Sequence, residues 1–433
     1  MHTSRWLRAL ALVLALVLTA SCTGDGSSPS PTQTPTASPP ADNAPRKPDA
    51  ARMHAIAQRI MDRRERAVLT KDKSSFLADL DPSNRPLRDR QARLFENLTR
   101  LPLRTFELDA VETTWPAGFA DKRWAATAYI PYVEQQLQLR GFDPMPVTTV
   151  YGITFARTKG RWRIVSDDDV ADREASGARD APWDLTRIVV HRSRHVLGIF
   201  DEVSAESSDQ LMAWTEDSVR TVRAAVPVKW RNDVVVYALS RDSVLRLMGT
   251  RFLDRAAVAF HVPDNNEDPT RRVSTRVVMN PKYLPRNEFQ GTYLLSHEIT
   301  HVALSRTGNH TPAWVQEGLA EYVATHGASP SRWYIAPSSV RVADRGVDAM
   351  PGSTFFGDKR SAFDYDLSLA ACAYLASEFG ERRLWDFLAR MALAGSRTGD
   401  PEVAQDQVLT RMFDLDSRAL AHRAARLIVE RAG

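Results

Sequence analysis

"LLSHEITHVALSRTGNHTPAWVQEGLAEY", residues 294–322, decides how this chain is read. It carries His297 and His301 four residues apart, Glu298 directly after the first, and Glu317 and Glu321, again four apart. On a helix, residues four apart lie one turn above each other on one face. His297 and His301 can therefore turn both imidazoles toward one ion. Glu298 lies about 100° round from His297, so it can reach a water on that ion without binding the ion. Leu294, Leu295, Ile299, Val302 and Ala303 would bury the helix. Two histidines and a glutamate on a buried helix are costly unless something pairs them. Asn287 with Gln290 predicts a capping-box start, and Gly308 a stop.

A second helix is predicted over 311–327, "TPAWVQEGLAEYVATHG", with Thr311 as N-cap, Pro312 at the first helical position and Gly327 at the end. Trp314, Leu319 and Tyr322 make it a buried helix, so Glu317 and Glu321 are not a solvated acidic face. One of the two can be a third ligand. The other can hydrogen-bond the far nitrogen of a ligand histidine and fix its tautomer. Two imidazoles and a carboxylate with an open fourth position suit Zn2+, one ion per chain.

"HEITH" followed by "WVQEGLAEY" resembles the gluzincin zinc metallopeptidases, the group that includes thermolysin and the membrane alanyl aminopeptidases. The resemblance covers about residues 183–400, and its specific part is the metal motif. It implies His297, His301 and Glu317 as metal ligands, Glu321 as the residue that orients a ligand histidine, and Glu298 as general base. Relatives commonly have a longer interval before the ligand glutamate, which fits Glu321 better, but the E-G-x-A context falls at Glu317. Metzincins are excluded, because their third histidine would stand at position 307, which is Thr. His310 is expected in a loop or at a substrate rim. The resemblance also implies an oxyanion donor from a later helix. "FDYDLSLAACAYL", 363–375, offers Tyr365, with His326, Tyr322 and Tyr374 as alternatives. By position alone, "TRVVMNPKYL", 275–284, is expected to form the edge strand along which a peptide adds. The implied activity is zinc-dependent hydrolysis of peptide bonds in a peptide or protein substrate. The alternative is a cell-envelope binding or scaffold lipoprotein with a structural or degenerate zinc site.

Upstream of the metal motif the periodicity is mixed. "LTRIVVHRSRHVLGIF" (185–200), "DVVVYAL" (233–239), "AAVAFHV" (256–262) and "STRVVMN" (274–280) read as strands, with a helix over 207–226. After Pro285 the pattern is helical. The segment 183–433 is thus expected as one domain, β-rich in its first half and helical in its C-terminal half. Residues 49–168 read as helices over 49–69 and 87–99 followed by strands, with a clear hairpin at "TKGRW", 158–162. A further strand is predicted over 123–134. Helices then antiparallel strands make an α+β class for the whole chain. The order resembles a small cone-shaped ketosteroid-isomerase-like domain. Residues 169–182, small and polar, are expected to link the two.

The first 22 residues resemble a lipoprotein-type signal peptide. Arg5 and Arg8 precede the apolar "LALVLALVLTA", which is short for a membrane span. "LTASC" is similar to the lipobox of bacterial lipoproteins, with Thr19 where leucine is usual and Leu18 one place further back. Cys22 is the expected lipidation site. The implied location is the outer face of a bacterial cell membrane, held by a lipid anchor, with plain secretion as the alternative. Residues 23–48, rich in Ser, Thr and Pro, cannot bury a core and are expected to be a disordered tether. The chain has two cysteines, Cys22 and Cys372, the second in an apolar run, so no disulfide framework is expected. The net charge of +4 over 433 residues is dispersed, without a basic run interleaved with aromatics, and no nucleic-acid partner is expected.

Overall fold

The computed structural model describes residues 50–170, 181–241, 256–263, 272–305, 307–325, 333–352 and 361–432. The expected signal, the lipidation site Cys22, the tether, most of the 169–182 linker, His326 and Gly327 lie outside the described residues. Helices and small sheets mix along the chain, and the fold is α+β. Among the described residues, no helix is long and apolar enough to cross a membrane.

Helix α1 (Ala50–Leu69) buries Met53, Ala57, Ile60 and Met61, the stripe that its three-and-four spacing dictates. Helix α2 (Arg85–Leu98) starts at Asn84, whose side chain accepts the Leu87 N–H. Strands β1 (Leu103–Trp115), β2 (Ile130–Leu139) and β3 (Val147–Gly152) form an antiparallel sheet in that order. In β1, Phe106, Leu108 and Ala110 are buried and their neighbours are not, so one face is wet. Strands β4 (Thr154–Thr158) and β5 (Arg161–Ser166) make the expected hairpin, with Lys159 and Gly160 at φ 47° and 78° in the turn. The strand predicted from Arg123 begins only at Ile130. Asp121 accepts the Arg123 N–H on its side chain and the Trp124 and Ala125 N–H on its carbonyl, which folds 121–128 into turns instead.

A five-stranded sheet organises the rest. Its strands are β6 (Val189–Arg192), β7 (Val196–Phe200), β8 (Val234–Ala238), β9 (Ala257–Pro263) and β10 (Arg272–Met279), in the spatial order β6-β7-β8-β10-β9. β7, β8 and β10 run parallel; β6 and β9 are antiparallel edges. The stretch 275–279, expected at the edge, is therefore interior, flanked on both sides by hydrogen-bonded strands. The edge position belongs to β9. Strand order is set by long-range pairing, which a position relative to the metal motif does not encode.

Both faces of this sheet are covered, and β8 shows why its sequence is an unbroken apolar run. Val234, Val236 and Ala238 face the core shared with α3 (Ser208–Ala225), α4 (Glu288–Leu304), α5 (Ala313–Ala324) and the later helices. Val235, Tyr237 and Leu239 join a core with α1, α2 and the strands of residues 103–166. The segments read from sequence as 49–168 and 183–433 thus share one hydrophobic core, inside one compact unit, Pro48–Gly433. The C-terminal helices are α6 (Pro337–Asp344), α7 (Ser361–Phe379), α8 (Glu381–Thr398), α9 (Pro401–Phe413) and α10 (Ser417–Ala432).

Candidate metal centre

Helix α4 leaves the sheet after β10. Asn287 Oδ1 accepts the Gln290 N–H at 3.0 Å, as the sequence predicts. Gln290 reaches back one residue further than a capping box requires, to the Arg286 N–H at 3.1 Å. The helix ends at Leu304, and Gly308 opens a 3-10 turn through His310 rather than stopping α4. Helix α5 begins at Ala313. Thr311 does not cap it: its hydroxyl donates to the Gly308 carbonyl at 2.7 Å, and Pro312 stands just before the helix with extended backbone.

Two contacts fix α5. Trp314 is buried against Phe387 and donates from Nε1 to Gln405 Oε1 at 3.0 Å. Gly318 meets α7 closely: a Cβ there would stand 2.4 Å from the Ser368 carbonyl oxygen and 2.8 Å from Cys372 Sγ. The tryptophan and the glycine of W-V-Q-E-G thus set the height and tilt of the helix that presents Glu317.

His297, His301 and Glu317 converge, and the three could hold a metal ion. His297 Nε2 lies 3.2 Å from His301 Nε2. Glu317 Oε2 lies 3.2 Å from His297 Nε2 and 3.3 Å from His301 Nε2. The donor atoms form a nearly equilateral triangle. Ligands bound tetrahedrally at ~2.0–2.1 Å stand about 3.3 Å from one another. The triangle has that edge, so the donor set fits a small tetrahedral ion with one face open.

Glu321, one turn after Glu317, places Oε1 3.0 Å from His297 Nδ1. The contact is short but not aligned as a hydrogen bond, since Nδ1 has no hydrogen-bonded partner. The Tyr293 hydroxyl donates to the other Glu321 oxygen. Burial pushes the Glu321 carboxyl up to about 8, and the charge of Asp366 adds to the rise. Burial alone would raise Glu317 as well. The imidazoles of His301 and His297 outweigh it and hold that carboxyl well below the usual range. Two glutamates one turn apart are thus driven in opposite directions, and the one facing both imidazole Nε2 atoms is the one kept anionic.

Glu298 is buried on α4 and reaches the sheet edge, where Oε2 accepts the Ala259 N–H of β9 at 2.6 Å. The ring of Tyr365, near the start of α7, lies 6.0 Å from the His297 ring. Of the other candidates, Tyr374 is nine residues on in α7, half a turn away from the Tyr365 face, and packs on Phe379. The Tyr322 hydroxyl is pushed up to about 12, by burial first and then by Glu381. His310 is exposed in its 3-10 turn.

Three contributors escaped the sequence reading. Tyr293 stands four before His297 on the same helix face, and that spacing was the signal for it. Asp366 follows Tyr365 and accepts the Ala336 N–H at 3.3 Å. The Ala259 N–H is a backbone group, which no side-chain pattern can announce. No model of a known protein family matches the chain, and no curated protein matches it in sequence.

Proposed function

We propose that the protein is a zinc-dependent peptide hydrolase of the gluzincin type, anchored by a lipidated Cys22 at the outer face of a bacterial membrane. The observation that carries the reading is the His297–His301–Glu317 triangle, whose 3.2–3.3 Å edges match a tetrahedral ion with three protein ligands. Two imidazoles and one carboxylate are the donor chemistry that suits zinc. When bound there, zinc would supply Lewis-acid polarisation of a scissile carbonyl and a water with its pKa lowered to about 7.

The chain's own groups would do the rest. Glu298 takes the proton of the attacking water as general base and passes it to the leaving amine. Its hydrogen bond from Ala259 holds one carboxylate oxygen and leaves the other to act. Tyr365, beside His297 at the start of α7, would donate its hydroxyl to the oxyanion that develops on the carbonyl. Glu321 stands behind the His297 ring, and Tyr293 donates to the carboxyl group that faces Nδ1. Strand β9, an antiparallel edge next to Glu298, offers the backbone groups to which an extended peptide could add.

Cleavage of a diverse peptide library by the purified chain tests the proposal. Hydrolysis should disappear on chelation and return with stoichiometric zinc. A zinc-loaded chain that cleaves no peptide would contradict it and favour a binding protein with a structural metal.

A further inference from the structure

At the carboxyl ends of β7 and β8 a cleft of about 680 Å3 opens, and it shares no residue with the metal centre. It is lined by Arg93 of α2, by Leu185, Thr186 and Arg187, by Asp201 to Val203 after β7, and by Ser240 and Arg241 after β8. The walls come from both segments that meet on the far side of the sheet from α4. Three arginines line one hollow.

Their partners differ. Arg187 is matched: it pairs with Glu96 at 2.6 Å and lies 3.5 Å from Glu202. Arg241 donates to the Thr186 hydroxyl at 3.3 Å and has no carboxylate partner among the described residues. Arg93 has none among them either, and its Nε is buried without a hydrogen-bond partner. A buried guanidinium donor left unpaired is costly.

Asp201 does not answer them. Its Oδ1 accepts the Ser204 N–H at 2.9 Å, and its Oδ2 accepts both the N–H and the hydroxyl of Ser240 at 2.7 Å. Burial raises this carboxyl, but those donors outweigh burial and hold it below its ordinary range. Its oxygens are committed to the two turns that shape the floor. Leu185 and Val203, the latter 65% exposed, add an apolar rim.

We infer that this cleft is a binding site for a small oxyanion-bearing molecule, a carboxylate or a phosphate ester, gripped by Arg93 and Arg241. Planar guanidinium forks pair two-pronged with either group, which a point charge such as lysine does not. Open sheets with parallel strands bind ligands at the carboxyl ends of those strands, where this cleft lies. Because Arg93 belongs to the N-terminal segment and Arg241 to the sheet, one anion would tie the two segments together.

Isothermal titration and thermal unfolding of the full, chelator-treated chain test this, with inorganic phosphate and succinate as separate probes against chloride at equal ionic strength. Removing metal keeps phosphate from reporting on the histidines. Saturable binding of at least one probe with a rise in Tm is expected, and the better probe identifies the phosphate or the carboxylate arm. Arg93→Gln and Arg241→Gln should each weaken binding by about tenfold. Arg241→Lys, which keeps the charge and loses the fork, should fall well short of the parent. His297→Ala should leave the affinity unchanged. Circular dichroism of each variant separates lost binding from lost folding. No saturable binding to the parent up to tens of millimolar of either probe, or parental affinity in a folded Arg93→Gln/Arg241→Gln chain, would overturn the inference.

Discussion

Two polar clusters lie on opposite faces of the same sheet, and only one of them is complete. On the face toward α1 and α2, Arg276 of β10 sits against Asp143 at 2.6 Å and 3.1 Å, a two-pronged pair. The Tyr237 hydroxyl accepts from its Nε at 2.9 Å, and the Ser274 hydroxyl donates to Asp143. Donors meet acceptors, and charge meets charge. On the other face His297, His301 and Glu317 aim donor atoms at a common centre, with His297 Nδ1 and Glu317 Oε2 lacking a hydrogen-bond partner. The pair is the more deeply buried, its side chains 3% and 0% exposed against 9%, 19% and 16% for His297, His301 and Glu317. What marks a site is convergence of groups that do not satisfy one another, while mutual satisfaction marks a structural staple.

The difference can be broken from either side. His297→Ala or His301→Ala should abolish stoichiometric zinc binding, read by metal analysis of the purified chain, with the fold retained. Asp143→Ala should do the reverse. It strands a buried guanidinium and should cost about 3–5 kcal/mol in denaturant unfolding, with the zinc content of the folded protein unchanged. Equal metal loss in both experiments would erase the distinction drawn here. A finer cut separates the two glutamates. Glu317→Ala should remove the metal, whereas Glu321→Ala, which removes the group behind His297 Nδ1, should weaken zinc affinity by about 10–100-fold. If only Glu321→Ala loses metal, their roles are reversed. A smaller effect is expected at the α5–α7 contact. Gly318→Ala drives a methyl toward the Ser368 carbonyl and should destabilise by about 1–3 kcal/mol, lowering Tm. The smallest signal is at Cys372, fully buried, with its thiol pushed up by burial alone. It should resist thiol reagents until the chain unfolds.

The contrast also shows what a sequence can carry. The His297, His301 and Glu317 triangle was legible because each partner announces itself locally: two histidines one turn apart, then a helix with a tryptophan and a glycine around the glutamate. Tyr293 has the same four-residue spacing from His297 but is missing from the sequence-based expectation. The Arg276–Asp143 pair was not legible, since its members are 133 residues apart in the chain and neither stands in a pattern. The edge strand was misassigned for the same reason. "STRVVMN" and "AAVAFHV" are equally strand-like, and only pairing partners decide which is interior. Thr311 and Pro312 illustrate a local failure. Both are good helix starters, but the preceding 3-10 turn takes the Thr311 hydroxyl. The α+β class followed from the order of periodicities, which survives such errors of one or two residues at element ends.

The proposed hydrolase rests most heavily on Glu298, next to His297 in α4 and tied to the sheet edge through the Ala259 N–H. Glu298→Gln keeps the shape, and the amide can still accept from Ala259. The decisive measurement is peptide hydrolysis by this variant alongside its zinc content. The account predicts one zinc per chain and a loss of hydrolysis by at least the 10²–10⁴-fold that a general base contributes. Hydrolysis at the parental rate by a zinc-loaded Glu298→Gln chain would contradict it.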